Sequence, residues 1–322
     1  MTAMPRPILV VSRCLGFDAC RWNGVSISSD AVRLLESYVH YMPVCPEVEI
    51  GLGIPRPPIR VVSRGSSLRL LQPETGRDCT AMMQSFAQTY LDGLGEVDGF
   101  VLKSRSPSCG IGDVRVYRGP KDELAIGKGS GVFASAVQMR WGHAAIEDEK
   151  HLADYASRHH FLTRVFASAR YREQVLAQPS MANLIAFQSA NKLLLLACSE
   201  RQLRRMGKIV ANHDKLPLEQ VLGLYQQHLT LALEHPPRHT ACINVLMHAL
   251  GYFRSLLPAE KRSFLDTLQD YRTGRVPLSV PVAMVRSWIV RYHEPYLAQQ
   301  TFFTPYPQEL LETTDLSSAS DG

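Results

Sequence analysis

The hydrophobic periodicity of this chain changes character once, near residue 151, and that change constrains the fold more than any single motif. Before it, short apolar runs at residues 8–12, 41–45, 99–103 and 114–117 read as strands. Between them lie amphipathic stretches at 29–39, with Ser28 or Ser29 placed to cap, and at 75–94. Strands alternating with helices predict an α/β domain, Rossmann-like, with a largely parallel sheet. Beyond residue 151, helical patterns follow one another at 151–168, 180–206, 217–233, 242–255, 258–273 and 280–293, so the second part is predicted to be all-α. Prolines 217, 236, 237, 258, 277 and 281 fall at helix starts or in loops, where a missing N–H is tolerated. The expected organisation is therefore a domain over 1–150, a helical domain over 151–308, and a polar, disordered tail over 309–322.

Composition narrows the function classes. With 322 residues, 45% hydrophobic and 20% charged, the chain can build two cores. No apolar run approaches the roughly 20 residues that span a bilayer, and the start MTAMPRPILVVSR is interrupted by prolines, so no membrane association and a cytoplasmic location are expected. Seven scattered cysteines, an odd number, argue for reduced thiols or metal ligands rather than a disulfide framework. Charge is uneven: residues 1–150 hold 17 Lys+Arg against 16 Asp+Glu, whereas residues 151–305 hold 18 against 10. That excess suits either a polyanion such as RNA or a solvated basic face.

Three cysteines share a setting. Cys14 follows ILVVS, Cys45 closes YMPVC, and Cys109 ends KSRSPSCG shortly after GFVL, so each sits where a strand should end and a loop begin. Ligands of open α/β sheets bind beyond the carboxyl ends of the strands, where such loops converge. Cys79, Cys198 and Cys242 lie inside apolar helical patterns and read as core. No C-x-x-C pair supports structural zinc, and thiolates suit an iron–sulfur cluster, in which three protein ligands leave one iron open. Cys20 is an open candidate for a fourth ligand.

Neighbouring residues offer further chemistry. Glu47 can act as a general acid–base or form a loop salt bridge. Ser106 and Ser108 can cap a helix or hydrogen-bond a substrate atom. Arg13, Arg21, Arg56, Lys103 and Arg105 lie near the cysteine loops, to receive an anionic group or to be solvated. The stretch GKGSG at 127–131 lacks phosphate-loop spacing and reads as a turn or helix entry.

The phrases CLG…CRWNG (14–24), CPE…GLGIPR (45–56) and KSRSPSCG (103–110) together resemble the domain of unknown function 523, associated with thiouracil desulfidases. NKLLLLACS (191–199), NVLMHALGYF (244–253), YRTGRVPLSVP (271–281) and QQTFFTPYP (299–307) resemble the domain of unknown function 1722, with Gln188 where that family often carries histidine. The fused architecture resembles desulfidases of 4-thiouridine in transfer RNA. This resemblance implies a 4Fe-4S cluster on Cys14, Cys45 and Cys109 and catalytic roles for Glu47 and Ser106; beside it, Ser108 and Lys103 are expected, from their place next to the cysteine loops, to contact substrate. It implies a metal-binding enzyme that releases sulfide hydrolytically, without flavin or nicotinamide, with thiolated tRNA as partner. A desulfidase of free 4-thiouracil or thiouridine nucleosides, and a non-catalytic iron–sulfur RNA-binding sensor, remain as alternatives. Tyr252, Phe253, Tyr292, Phe302, Phe303 and Tyr306 could stack on bases, although core packing is the expectation for most of them.

Overall fold

The computed structural model describes residues 4–65 and 67–310. They form two compact units, one running from Pro5 to Ala169 and the other from Arg170 onward together with Met4.

In the first unit the strands are β1 (Ile8–Ser12), β2 (His40–Val44), β3 (Arg60–Arg64), β4 (Ser67–Gln72), β5 (Arg77–Asp78), β6 (Gly99–Leu102), β7 (Ile111–Tyr117), β8 (Ala125–Ser130) and β9 (Ala145–Asp148). The helices are α1 (Asp30–Leu35), α2 (Pro46–Glu49), α3 (Thr80–Asp92), α4 (Val132–Trp141) and α5 (Tyr155–Tyr171), the last crossing into the second unit. Strands β2, β1, β6 and β9 make a fully parallel sheet in that order. Its central strands are uniformly apolar because both faces are covered, and Leu9, Val10, Val11, Phe100 and Val101 are wholly buried. Gly99 admits α5 to the sheet: a Cβ there would lie 2.8 Å from a Val165 methyl and from the Ala145 carbonyl.

The α/β expectation holds, with one correction. The run 114–117 does not join the parallel sheet; it is part of β7 in a second sheet ordered β5-β4-β3-β7-β8, where only the β3·β7 pair is parallel. Strands β3, β4 and β8 carry Arg, Ser, Lys and Gly between their apolar residues, so no continuous apolar run announces them. GKGSG lies largely within β8 instead of forming a turn, and its last residue, Gly131, is the N-cap of α4, the expected helix entry. α1 is shorter than predicted, and Ser29 caps it by accepting from the Val32 N–H at 3.3 Å. α3 starts at Thr80, because Arg77–Asp78 pair with β4 and the Asp78 carboxylate accepts the Thr80 N–H at 3.0 Å.

The second unit contains α6 (Met181–Ala190), α7 (Lys192–Ala211), α8 (Leu218–Leu233), α9 (His239–Leu250), α10 (Pro258–Arg272), α11 (Ser279–Tyr292) and α12 (Pro295–Ala298). The predicted helix over 180–206 is divided, α6 and α7 meeting at Asn191 with a 95° turn. Buried polar side chains satisfy the groups this break exposes: Gln300 accepts the Leu193 N–H at 3.0 Å and donates to the Ser189 carbonyl at 2.8 Å, and Thr301 donates to the Asn191 side chain at 2.8 Å. Among the described residues no single helix is long and apolar enough to cross a membrane. Phe253, Phe302, Phe303 and Tyr306 are buried, so they are unavailable to bases, whereas Tyr252 is half-exposed and stacks on Tyr296. Of the predicted tail, Glu309 and Leu310 close a short 3-10 turn and the remainder lies outside the described residues.

Candidate functional site

The parallel sheet delivers its four carboxyl ends to one place. β1 leads into Cys14, β2 into Cys45, β6 into the loop ending at Cys109, and β9 into Glu149 and Lys150. A cavity of about 440 Å³ opens there, lined by Cys14, Cys20, Cys45 and Cys109 together with Glu47, Lys103 and Ser106. The predicted convergence of distant loops therefore occurs, and Cys20 joins it. Ser108 is the exception among the predicted residues: it is fully buried behind the wall.

No disulfide joins the seven cysteines. Burial, reinforced by Cys45 beside it, pushes the Cys14 thiol up to about 11, with Lys103 and Arg21 pulling the other way. Cys20 rises to about 12 from burial and its contact with Cys45, and burial holds Cys109 well above the usual thiol range while a Ser12 hydroxyl contact opposes it. Any metal bound here must displace these protons. Among the described residues, the one trio of His, Cys, Asp or Glu ligand atoms within 4.8 Å of one another is Glu147, Asp148 and His151, so Cys14, Cys45 and Cys109 are spaced more widely than that. A single tetrahedral zinc would draw its sulfurs to about 3.8 Å. An all-thiol donor set at wider spacing fits a multi-iron cluster better.

The Glu47 carboxylate is held from both sides. Arg56 is almost completely buried and donates to Glu47 Oε2 from Nε at 3.0 Å and Nη2 at 2.8 Å. Its Nη1 donates to the carbonyls of Cys20 at 3.0 Å and Gly53 at 2.8 Å, so one side chain locks the carboxylate to the Cys20 loop. The Ser108 hydroxyl donates to Glu47 Oε1 at 3.1 Å. Glu47 is thus both the catalytic candidate and a salt-bridge partner. Ser106 Oγ accepts the N–H groups of Ser108 at 3.3 Å and Cys109 at 3.1 Å, so it shapes the cysteine turn and keeps its own hydrogen free to donate.

Of the five cations predicted to receive an anion, three are committed within the protein. Arg13 pairs with Glu49 at 2.7 Å, Arg56 with Glu47, and Lys103 with Glu149 and the Ser104 hydroxyl. Arg21 and Arg105 have no ion-pair partner among the described residues, and both line the cavity. Sequence reasoning missed Glu149 and Ser12, and it missed the partner of Arg56. Glu149 directly follows the strand AIED, and its place at a strand's carboxyl end was the signal available for it.

The Cys109 loop is fixed by α4. The first turn of a helix leaves N–H groups without helical partners. Here Val132 N–H donates to the Pro107 carbonyl at 3.2 Å and Ala134 N–H to the Ser108 carbonyl at 3.0 Å. The approach requires Gly131, where a Cβ would stand 2.5 Å from the Ser108 carbonyl carbon and oxygen. We expect Gly131→Ala to destabilise the unit by about 1–3 kcal/mol, because backbone must move to admit the methyl. Thermal unfolding measures it, and a variant melting like the wild type would contradict this packing.

Comparisons with known proteins match the two parts of the chain to two families. The family described as 2-thiouracil desulfurase matches residues 9–149, and the family described as a protein of unknown function, DUF1722, matches residues 192–307. YbgA of Escherichia coli, uncharacterized, is 32% identical over 152 residues, covering 46% of this chain and 88% of its own. The chain fuses a 2-thiouracil desulfurase domain to a DUF1722 domain. YbbK of Bacillus subtilis, also uncharacterized, is 29% identical over 151 residues, covering 44% of this chain and 97% of its own. The solved 4Fe-4S-dependent thiouracil desulfidase TudS is 29% identical, covering 46% of this chain and 93% of that one, at a TM-score of 0.35. All four cavity cysteines and Glu47 lie within the stretch that matches the desulfurase family.

Proposed function

We propose that the desulfurase domain binds a 4Fe-4S cluster through Cys14, Cys45 and Cys109 and converts 4-thiouridine in tRNA to uridine. The convergence of these three thiols with a doubly held carboxylate in one cavity carries this reading. Water supplies the oxygen and hydrogen sulfide leaves, so no electrons are exchanged and no flavin or nicotinamide is needed. An iron without a protein ligand would supply Lewis acidity toward the thiocarbonyl sulfur.

The protein's own residues do the rest. Glu47, fixed by Arg56 and Ser108, accepts a proton from the attacking water and returns it to the departing sulfur or the ring. Ser106 donates its hydroxyl hydrogen to the base and orients it. Catalysis is assigned to the domain over 1–150, in the cytoplasm, and tRNA recruitment to the helical domain over 151–308, whose 18 Lys+Arg against 10 Asp+Glu over residues 151–305 suits a polyanion.

Anaerobic purification with iron and sulfide analysis, followed by the loss of 4-thiouridine absorbance from thiolated tRNA, tests the reading. A brown protein that bleaches tRNA supports it. A colourless, folded protein without iron after anaerobic reconstitution overturns it, and bleaching of free 4-thiouracil alone moves the substrate to the nucleobase.

Cys20 separates two versions of the site. Its carbonyl is held by Arg56, and the three-ligand arrangement leaves its thiol outside the coordination set. Cys20→Ser is expected to retain iron at the wild-type ratio while Cys14→Ser loses it. Equal iron loss in both variants would mean four ligands and a closed cluster, unsuited to binding a substrate sulfur.

A further inference from the structure

The parallel pairing of β6 with β9 sets Leu102 beside Asp148, and one step further Lys103 stands beside Glu149 at the carboxyl edge of the sheet. Both side chains are largely buried and form an ion pair, and of the two only Lys103 lines the cysteine cavity. The Lys103 N–H donates to Ser12 Oγ at 2.9 Å, which fixes the backbone that carries the ammonium.

Three acceptors surround that ammonium: Glu149 Oε1, the Ser104 carbonyl at 3.0 Å and the Ser104 hydroxyl at 2.9 Å. An ammonium carries three hydrogens, so all of them are spent inside the protein. Glu149 is used as fully, because it also accepts the Ser104 hydroxyl hydrogen at 2.6 Å and the Ser104 N–H at 2.8 Å. Lys103 therefore reaches the cavity with its charge and not with a hydrogen-bond donor. That charge is felt at Cys14: burial and Cys45 raise the thiol, Lys103 is the stronger of the two cations opposing them, ahead of Arg21, and Glu149 pushes up less than Lys103 pulls down. Salt screens buried charges only weakly. Sulfur leaving a thiocarbonyl gathers negative charge, which a fixed cation in a dry cavity stabilises.

We propose that Glu149 is a positioning residue that holds Lys103 as a fixed positive charge at the cysteine cavity, where it favours the charge developing on the departing sulfur without contacting substrate. The use of this charge rests on the desulfidase reading; the positioning by Glu149 rests on the hydrogen bonds alone. Lys103 then acts through its field, in place of the substrate contact expected from its position in the chain.

The test uses the full chain, first without iron. NMR of the lysine ammonium groups is expected to show the Lys103 hydrogens exchanging slowly with water, and about tenfold or more faster in Glu149→Gln, where the ionic anchor is lost. Equal exchange in the two proteins overturns the positioning. The iron-loaded protein then separates charge from contact. Lys103→Met is expected to make the cluster harder to reduce and Glu149→Gln to make it easier, opposite shifts of the midpoint potential that loss of packing alone would not give. In turnover, Lys103→Met is expected to lower kcat by about tenfold or more while KM changes by less than about threefold. A raised KM with kcat and potential unchanged makes Lys103 a substrate contact and overturns the proposal. Should Lys103→Met not fold, Glu149→Gln alone decides, since a potential that stays or falls in it also overturns the proposal. A chain that takes up no iron, yet protects the Lys103 hydrogens through Glu149, removes the desulfidase reading and leaves the positioning in place.

Discussion

Cys45→Ser is expected to leave a folded, iron-free protein with less than about a hundredth of the wild-type desulfidase activity. Outer-shell substitutions already cost about 10–100-fold in metal affinity or activity, and removal of a ligand should exceed that range. The position offers an unusually clean comparison. Cys45 is the N-cap of α2 in an extended conformation, and its carbonyl accepts the Val48 N–H at 3.0 Å and the Glu49 N–H at 3.1 Å. Serine is a preferred residue at such a position, so the local fold is retained and only the soft sulfur is lost. Iron per chain and the melting curve are the measurements. Wild-type iron content in Cys45→Ser would remove this residue from the ligand set and with it the three-cysteine site.

Glu47→Gln is expected to keep the iron and lose about 10²–10⁴ in kcat, the range attributed to a positioned general acid–base. Glutamine preserves the volume and can still accept from the Arg56 guanidinium, which donates twice to Oε2, but it cannot carry a proton. The alanine variant is a poorer probe. It strands a guanidinium whose side chain is 3% exposed, and breaking a buried pair from one side costs roughly 3–5 kcal/mol, so lost activity would mix with lost structure. Full activity at full iron content in Glu47→Gln would sink the catalytic assignment and leave Glu47 as the structural partner of Arg56.

Much of the site was legible before any coordinates. Cys14, Cys45 and Cys109 follow strands β1, β2 and β6 of one parallel sheet, and a parallel sheet aligns the carboxyl ends of its strands. Burial on both faces forces continuous apolar runs such as ILVVS and GFVL, which is a local property and hence readable. Of the second sheet only the run 114–117 was readable as a strand, because β3, β4 and β8 mix their apolar residues with Arg, Lys, Ser and Gly.

The sequence by itself therefore determined an α/β unit followed by a helical one, and where the thiols stand relative to their strands, because periodicity and strand ends are set within a few residues. Tertiary structure alone decided which charges pair. Glu47 meets Ser108 across 61 residues, Ser104 meets Glu149 across 45, and Gly131 presses on the Ser106–Cys109 turn through the docking of α4. It also decided that Arg56 is consumed by Glu47 while Arg115 and Lys128 are left facing each other. Whether a cation is neutralised depends on strand register and loop closure between distant segments, and no local pattern encodes either.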